Sequence, residues 1–396
     1  MKPIRRLVHG GVAACCAGCL CCASAQAQED STLQLYGSID VSAARFSGVR
    51  QHSRDPDAPP VATSLTGMGA GGVTGSRLGL RGSSALLPGL RLDFKAETGF
   101  CGVGLNQLDS GGDPYCSGGG FMQRESWLGL SGRLGSLRMG RQVTLVNQHL
   151  GQGDAFDNAY LGQVGNLSLV GNNRIGADMG RASQALSWIS PEAGGFGLQA
   201  QYSPHARGAR AWNDPDDARD PAALLVGAQY RVGAWRLGAD WARWQHARAA
   251  SGPSLGDTYQ LWTAHAGLSL GPLDLFLHGE QGSADGANGD QRVLNLGLRL
   301  PLGQGKLMAS VGRYADSMAP RPTRLQTSHA TQYALGYSHA LSPRTQLYLS
   351  AAHIVNEGAT PARLGTDLAV GAAGDVVHGI IGHNSNGVAL GLSHSF

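Results

Sequence analysis

Residues 90–97 read LRLDFKAE. Leu90, Leu92, Phe94 and Ala96 alternate with Arg91, Asp93, Lys95 and Glu97. An apolar residue at every second position, with a charge at each position between, is the period of a strand whose two faces meet different surroundings. The pattern extends outward in both directions. RLGLRG (77–82) sets Leu78 and Leu80 against Arg77 and Arg81, LLVGAQYRV (224–232) places Leu224, Val226, Ala228 and Tyr230 together, and QYALGYSHA (332–340) does the same with Tyr333, Leu335 and Tyr337. The chain ends on NGVALGLSHSF (386–396), still alternating, with Phe396 as its last residue.

Which face is wet decides the architecture. The apolar runs are about 10 residues long, the length of a tilted strand that crosses a bilayer. Their partner face carries Gly, Arg, Asp, Gln and Ser. With hydrocarbon outside, every backbone N–H and C=O must be paired, so such a sheet has to close. Composition agrees: 60 glycines and only 15 % charged residues among 396 would starve a compact core but suit a wall one residue thick. Nowhere does the chain hold the ~20 apolar residues of a membrane helix.

Connections alternate in length. Short ones fall at 83–89, 132–135, 191–195, 232–234, 271–272, 302–305 and 340–344. Long ones fall at roughly 46–72, 102–118, 144–182, 205–221, 247–256, 283–290, 316–328 and 357–385. Fifteen connections join sixteen strands, and an even-stranded barrel with short turns on one rim is the expected outcome. At sixteen strands the lumen is too wide for side chains to fill and holds water.

The first 27 residues carry Lys2, Arg5 and Arg6, then VAACCAGCLCCASA (12–25), then the small pair Ala25 and Ala27. This is the layout of a secretory signal peptide, which leaves residues 28–396 as the barrel. A lipoprotein signal ending at Cys19 is the rival reading, with Cys16 standing where an aliphatic residue is usual. Without the leader's three basic residues the chain keeps 28 basic and 28 acidic groups. That balance gives no basic stripe for nucleic acid. Five of seven cysteines leave with the leader. Cys101 and Cys116 remain, either as a disulfide suited to an oxidising compartment or as two separate thiols.

Several stretches resemble the Gram-negative general porins, in particular the betaproteobacterial trimeric type: LQLYGSIDV (33–41), SRLGLRGSSALLPGLRLDFKAETGF (76–100), RESWLGLSGRLGSLRMGRQ (124–142) and GLSHSF (391–396). The resemblance implies a homotrimer in the outer membrane, amid its lipids, passing small hydrophilic solutes and ions without a cofactor or metal. It also implies a third long loop folded inward, here about 144–182, and a terminal aromatic, Phe396, read by the barrel-assembly machinery. The family sets loop carboxylates against wall arginines at a constriction. On that pattern the acids are Asp154 and Asp157 in GQGDAFDNAYLG (151–162), with Asp178 less well matched. The bases are Arg77, Arg81, Arg141 and Arg181; Arg174 reads as a loop surface charge. Arg141 shares parity with Leu137 and Met139, so a bulge would be needed to turn it inward. More arginine than loop acid at the narrowing predicts weak anion preference.

Other function classes fare worse. No G-x-S-x-G or H-E-x-x-H spacing accompanies the thirteen histidines, so nothing assembles a nucleophile with its base. The Gly-, Ala- and Pro-rich long loops suit a mobile rim more than an adhesive surface. A substrate-specific channel would show aromatic tracks or dense basic ladders, and neither stands out.

Overall fold

A computed structural model describes residues 31–50, 62–100, 122–170, 179–206, 222–245, 258–285, 289–317, 328–357, 369–370 and 383–396. The leader, Cys101, Cys116, Arg174 and Asp178 lie outside the described residues.

The strands run β1 (Thr32–Arg50), β2 (Ala62–Ala70), β3 (Arg77–Leu87), β4 (Leu90–Gly99), β5 (Glu125–Gly132) and β6 (Gly135–Val143). After a short helix, α1 (Leu145–Leu150), come β7 (Arg181–Ile189), β8 (Phe196–Ser203), β9 (Ala223–Val232), β10 (Trp235–Gln245), β11 (Thr258–Leu270) and β12 (Leu273–Ala284). The chain finishes with β13 (Gln291–Leu302), β14 (Gly305–Asp316), β15 (Ser328–Ser342), β16 (Thr345–Glu357), β17 (Ala369–Val370) and β18 (Ser385–Ser395). Neighbours pair antiparallel throughout, and β18 closes on β1 from Ser38↔Ser395 to Ser47↔Asn386. β2 and β3 occupy one wall position, pairing with the upper and lower halves of β1, and β17 only adds two residues beside β2. The wall therefore has sixteen strands.

The expected boundaries need two corrections. Residues 46–72 are not one long loop, because β1 continues to Arg50 and β2 starts at Ala62. The upper half of β1 would otherwise present an unpaired edge. The 83–89 connection shrinks to Pro88–Gly89, since β3 runs through Leu87. Gly89, Gly233, Gly271 and Gly303 sit in the short turns at φ +75, +54, +60 and +62 with nothing near an added Cβ. The backbone angle, not space, calls for glycine there.

β13 shows the two faces most clearly. Gln291, Val293 and Asn295 are buried, while Leu294, Leu296 and Leu298 on the other face are 53 %, 50 % and 38 % exposed. Comparable rows of exposed leucine on β12, β16 and β18 make a continuous apolar belt far larger than a soluble surface tolerates. The buried apolar residues instead cluster around 145–170: Leu150, Phe156, Leu161 and Leu167 meet Phe46, Trp244, Tyr259 and Tyr348. Those wall residues belong to the face opposite the leucine belt.

Closure explains the terminal aromatic. Gly37 N–H donates to Phe396 O and Phe396 N–H to Gly37 O, both at 3.1 Å. A Cβ on Gly37 would stand 2.5 Å from the Phe396 ring, so the missing side chain makes room for that ring.

Candidate pore constriction

Two groups of charges line the polar face. The first is built on the strands that LRLDFKAE joins. Register sets Arg77 opposite Gly99 and Arg81 opposite Lys95, which brings Arg77, Lys95 and Glu97 into one patch. Glu97 is buried, and three cations converge on it: Arg124 Nε at 2.7 Å, Lys95 Nζ at 3.5 Å and Arg77 Nε at 3.8 Å. Tyr36 Oη donates to the same carboxylate at 2.8 Å. Lys95 also donates to Glu125. Arg81 is exposed, donates from Nε to Gln34 Oε1 at 2.9 Å and lies 5.2 Å from the Tyr36 ring centre. A cavity of about 790 Å³ opens here, lined by Arg81, Lys95 and Arg138 with Asp93 and Glu125.

The second group is carried by the segment after β6. Thr144 caps α1, its Oγ1 accepting from Asn147 N–H and donating to Met179 O. The chain then turns through Asp157, Asn158 and Tyr160 at φ +57, +51 and +58, a region costly for residues with a Cβ. Asp154 holds that geometry. Its buried carboxylate accepts from Phe156, Asn158 and Val164 N–H at 3.2, 3.1 and 3.0 Å. Burial outweighs these donors and pushes the carboxyl up to about 6. Burial likewise raises the Tyr160 hydroxyl to about 12.

The fixed turn presents Asp157, about half exposed, to Arg299 Nη2 at 2.6 Å and Lys306 Nζ at 3.2 Å. Arg299 Nε and Nη2 also donate to Ala155 O, and its guanidinium lies 4.8 Å from the Phe276 ring centre.

The segment is fastened at intervals to the wall. His149 Nδ1 is 2.7 Å from Asp240 Oδ1. Ser168 Oγ and Leu169 N–H both donate to Glu280, at 2.6 and 2.7 Å. Leu161 N–H donates to Ser350 Oγ, and Gln332 Nε2 to the carbonyls of Gly162 and Gln163. Tyr160 N–H donates to Gly72 O at 2.6 Å. Gly72 belongs to the link between β2 and β3, where Asp40 accepts from the N–H of Gly72, Val73 and Thr74 and from Tyr348 Oη.

The sequence-predicted residues are thus distributed unevenly. Arg77 and Arg81 stand together on the wall. Asp157 faces water, whereas Asp154 is wholly buried and organises the turn. Arg141 lies opposite Ser126, on the side of Leu128 and Met139, and the β6–β7 register slips between Gly140 and Gln142. The bulge exists, but Arg141 Nε donates to Gln123 O and Nη1 to Ser183 Oγ, clamping the strand tops. Arg181 opens β7 opposite Val143. Alternation alone does not mark Arg124, Arg299 and Lys306, whereas LRLDFKAE places Lys95 and Glu97 on the polar face beside β3, with Glu97 in pairing reach of Arg77.

The comparisons with known proteins agree with this architecture. A family described as "Gram-negative porin" matches residues 11–359. Outer membrane porin protein 32 of Delftia acidovorans is 27 % identical over 380 residues, covering 94 % of this chain and 97 % of the relative. An outer membrane porin protein of Bordetella pertussis is 29 % identical over 181 residues, covering 45 % of this chain and 44 % of its own. Among solved structures, an anion-selective porin from Comamonas acidovorans superposes with a TM-score of 0.69 at 24 % identity, over 93 % of this chain and 100 % of that one. OmpT of Vibrio cholerae follows with 0.59 at 13 % identity, over 92 % and 98 %.

Proposed function

The chain belongs to the Gram-negative porin family, an outer-membrane β-barrel, and from that premise we propose that it is a general diffusion channel with a weak preference for anions. Small hydrophilic solutes and ions cross passively through the water-filled lumen, and the protein is not an enzyme. Segment 144–170 serves as the inward-folded third loop that narrows the passage, with Arg77, Arg81 and Asp157 at the narrowing. The leader 1–27 is removed on export, the mature barrel assembles as a homotrimer, and Phe396 is read during assembly.

One observation carries the anion preference: six polar-face acids are buried, while several polar-face bases are wet. Asp40, Glu97, Asp154, Asp240, Glu280 and Asp316 are each at most 5 % exposed. Arg81, Arg231 and Arg236 are exposed, and the side chains of Arg77 and Lys306 are about a third exposed. A passing ion therefore meets more guanidinium and ammonium groups than carboxylates, Asp157 being the half-exposed acid at the turn, and arginine keeps its charge at any physiological pH. At the turn itself, one carboxylate stands among two cations, leaving net positive charge. The relatives' names, an anion-selective porin among them, point the same way.

Liposomes reconstituted with the purified protein test the transport reading. Swelling in isotonic sugars should be fast for small sugars and fall with size; no swelling in any sugar would refute diffusion through a lumen.

A further inference from the structure

The cavity of about 790 Å³ beside β3–β6 carries an aromatic group as well as charge. Register sets out its wall in two rows. Gln34, Arg81, Lys95 and Trp127 stand side by side on β1, β3, β4 and β5. Two residues nearer the short-turn rim, Ser83, Asp93, Gly129 and Arg138 make the second row on β3 to β6. Gly129 leaves a gap in that row, since an added Cβ would meet Leu137 O at 2.8 Å and Arg138 Cγ at 3.1 Å. Arg138 crosses the gap and lays its guanidinium 4.6 Å from the Trp127 ring centre.

Hydrogen bonds are shared out unequally among these groups. Asp93 accepts from the hydroxyls of Ser83 and Ser131, and Glu125 accepts from Lys95 Nζ and Trp127 Nε1. Both carboxylates of the cavity are therefore already supplied with donors. The arginines are not answered in the same way. Arg81 spends only Nε, on Gln34, which leaves its two Nη groups free. Arg138 has no side-chain hydrogen bond or ion pair among the described residues, and its Nε is buried without a partner. Stacking on Trp127, not pairing with Asp93 or Glu125, holds it in place. The wall thus offers a free guanidinium fork at Arg81 and, two strands away, a flat plate made of an indole and a second guanidinium.

From this we infer that the cavity is a binding subsite for small aromatic carboxylates on their way through the lumen. The inference rests on the reading of this wall as part of the water-filled path. The carboxylate takes the Nη groups of Arg81 as a two-pronged donor, and the ring lies against the Trp127–Arg138 plate. Arg81 and Trp127 stand on strands two positions apart, about 10 Å between backbones, a span that a benzoate-sized solute bridges once the two side chains lean in. Three cations against two satisfied carboxylates select an anion over a neutral arene. The plate selects an aryl group over a saturated ring of the same size, because stacking adds to what buried area alone gives.

The test is block of the open-channel current in KCl by three probes of one size: benzoate, cyclohexanecarboxylate and benzyl alcohol. Titrating each against the current of the purified, reconstituted protein gives a blocking concentration. Benzoate should block at a concentration at least tenfold below either of the others. Arg81→Gln and Trp127→Leu should each raise the benzoate value at least fivefold, and Trp127→Leu should bring benzoate and cyclohexanecarboxylate within twofold of each other. If Trp127→Leu does not assemble, Arg138→Gln, which breaks no hydrogen bond of the wall, should raise the benzoate value at least threefold. Equal block by benzoate and cyclohexanecarboxylate in the wild type, block by benzyl alcohol as strong as by benzoate, or a benzoate value unmoved in the variants would each overturn the assignment. A protein that carries no current in KCl alone would instead count against the diffusion reading, so the two failures are told apart.

Discussion

Neutralising Asp157 alone should strengthen anion preference. Asp157→Asn keeps the side-chain shape, retains an oxygen toward Arg299 Nη2, and leaves Arg299 bound to Ala155 O. The turn should therefore persist, with the loss of a half-exposed ion pair costing at most about 1 kcal/mol. What changes is the charge seen from the water. With Arg299 and Lys306 both within 4 Å of the carboxylate, the local sum rises by one positive charge. An ion passing about 5 Å away in water feels about 0.8 kcal/mol per unit charge. Screening at 0.1 M salt, with a Debye length of about 10 Å, reduces this to about 0.5 kcal/mol. The anion is favoured and the cation disfavoured by this amount, so the anion-to-cation permeability ratio should rise about fivefold, by the usual exponential of energy over thermal energy. Reversal potentials of single channels in a tenfold KCl gradient measure it directly. A ratio that stays the same or falls would show that Asp157, Arg299 and Lys306 lie off the ion path.

Arg77→Ala with Arg81→Ala should act in the opposite sense, lowering the ratio about two- to tenfold in the same recordings. Asp154→Ala would leave three N–H groups without an acceptor, the buried Phe156 and Val164 at about 1–3 kcal/mol each, so protease sensitivity within 145–170 and the spread of conductance levels should both increase. The Asp154 carboxyl is held at about 6 in the folded protein against 3.8 otherwise. The folded chain therefore keeps the proton longer, and docking of the segment should weaken as pH rises from about 4 to about 6, by about 3 kcal/mol. Hydrogen exchange of 145–170 should be slower at pH 4 than at pH 7 after correction for intrinsic rates, with the difference reduced in Asp154→Asn. Gly37→Ala would drive a methyl into the Phe396 ring and Arg77 O, an overpacking worth about 1–3 kcal/mol; the temperature at which the assembly loses its folded gel mobility should fall.

The wall was legible because its rule is local. Alternation in LRLDFKAE or NGVALGLSHSF needs no knowledge of any other strand, and sixteen such runs with unequal connections determine closure. Boundaries were less legible where hairpins continue past the apolar belt, as β1 and β2 do, because Ser, Gly and Ala read as loop although they remain paired. The constriction was least legible. Asp157 finds Arg299 and Lys306 well over a hundred residues downstream, and Asp154 is separated from it by two residues yet has the opposite environment. Composition cannot distinguish a carboxylate that meets water from one that gathers backbone N–H groups. Arg141 shows the same limit: the bulge was anticipated, but the side chain's partners, Gln123 O and Ser183 Oγ, depend on how three strand tops meet.

The sign of the wild-type reversal potential in a salt gradient weighs the buried acids against the wet bases most directly. Single channels of the purified protein should open as a water-filled pore and reverse on the chloride side of zero. A preference for potassium, or a folded assembly that carries no current, would contradict the account.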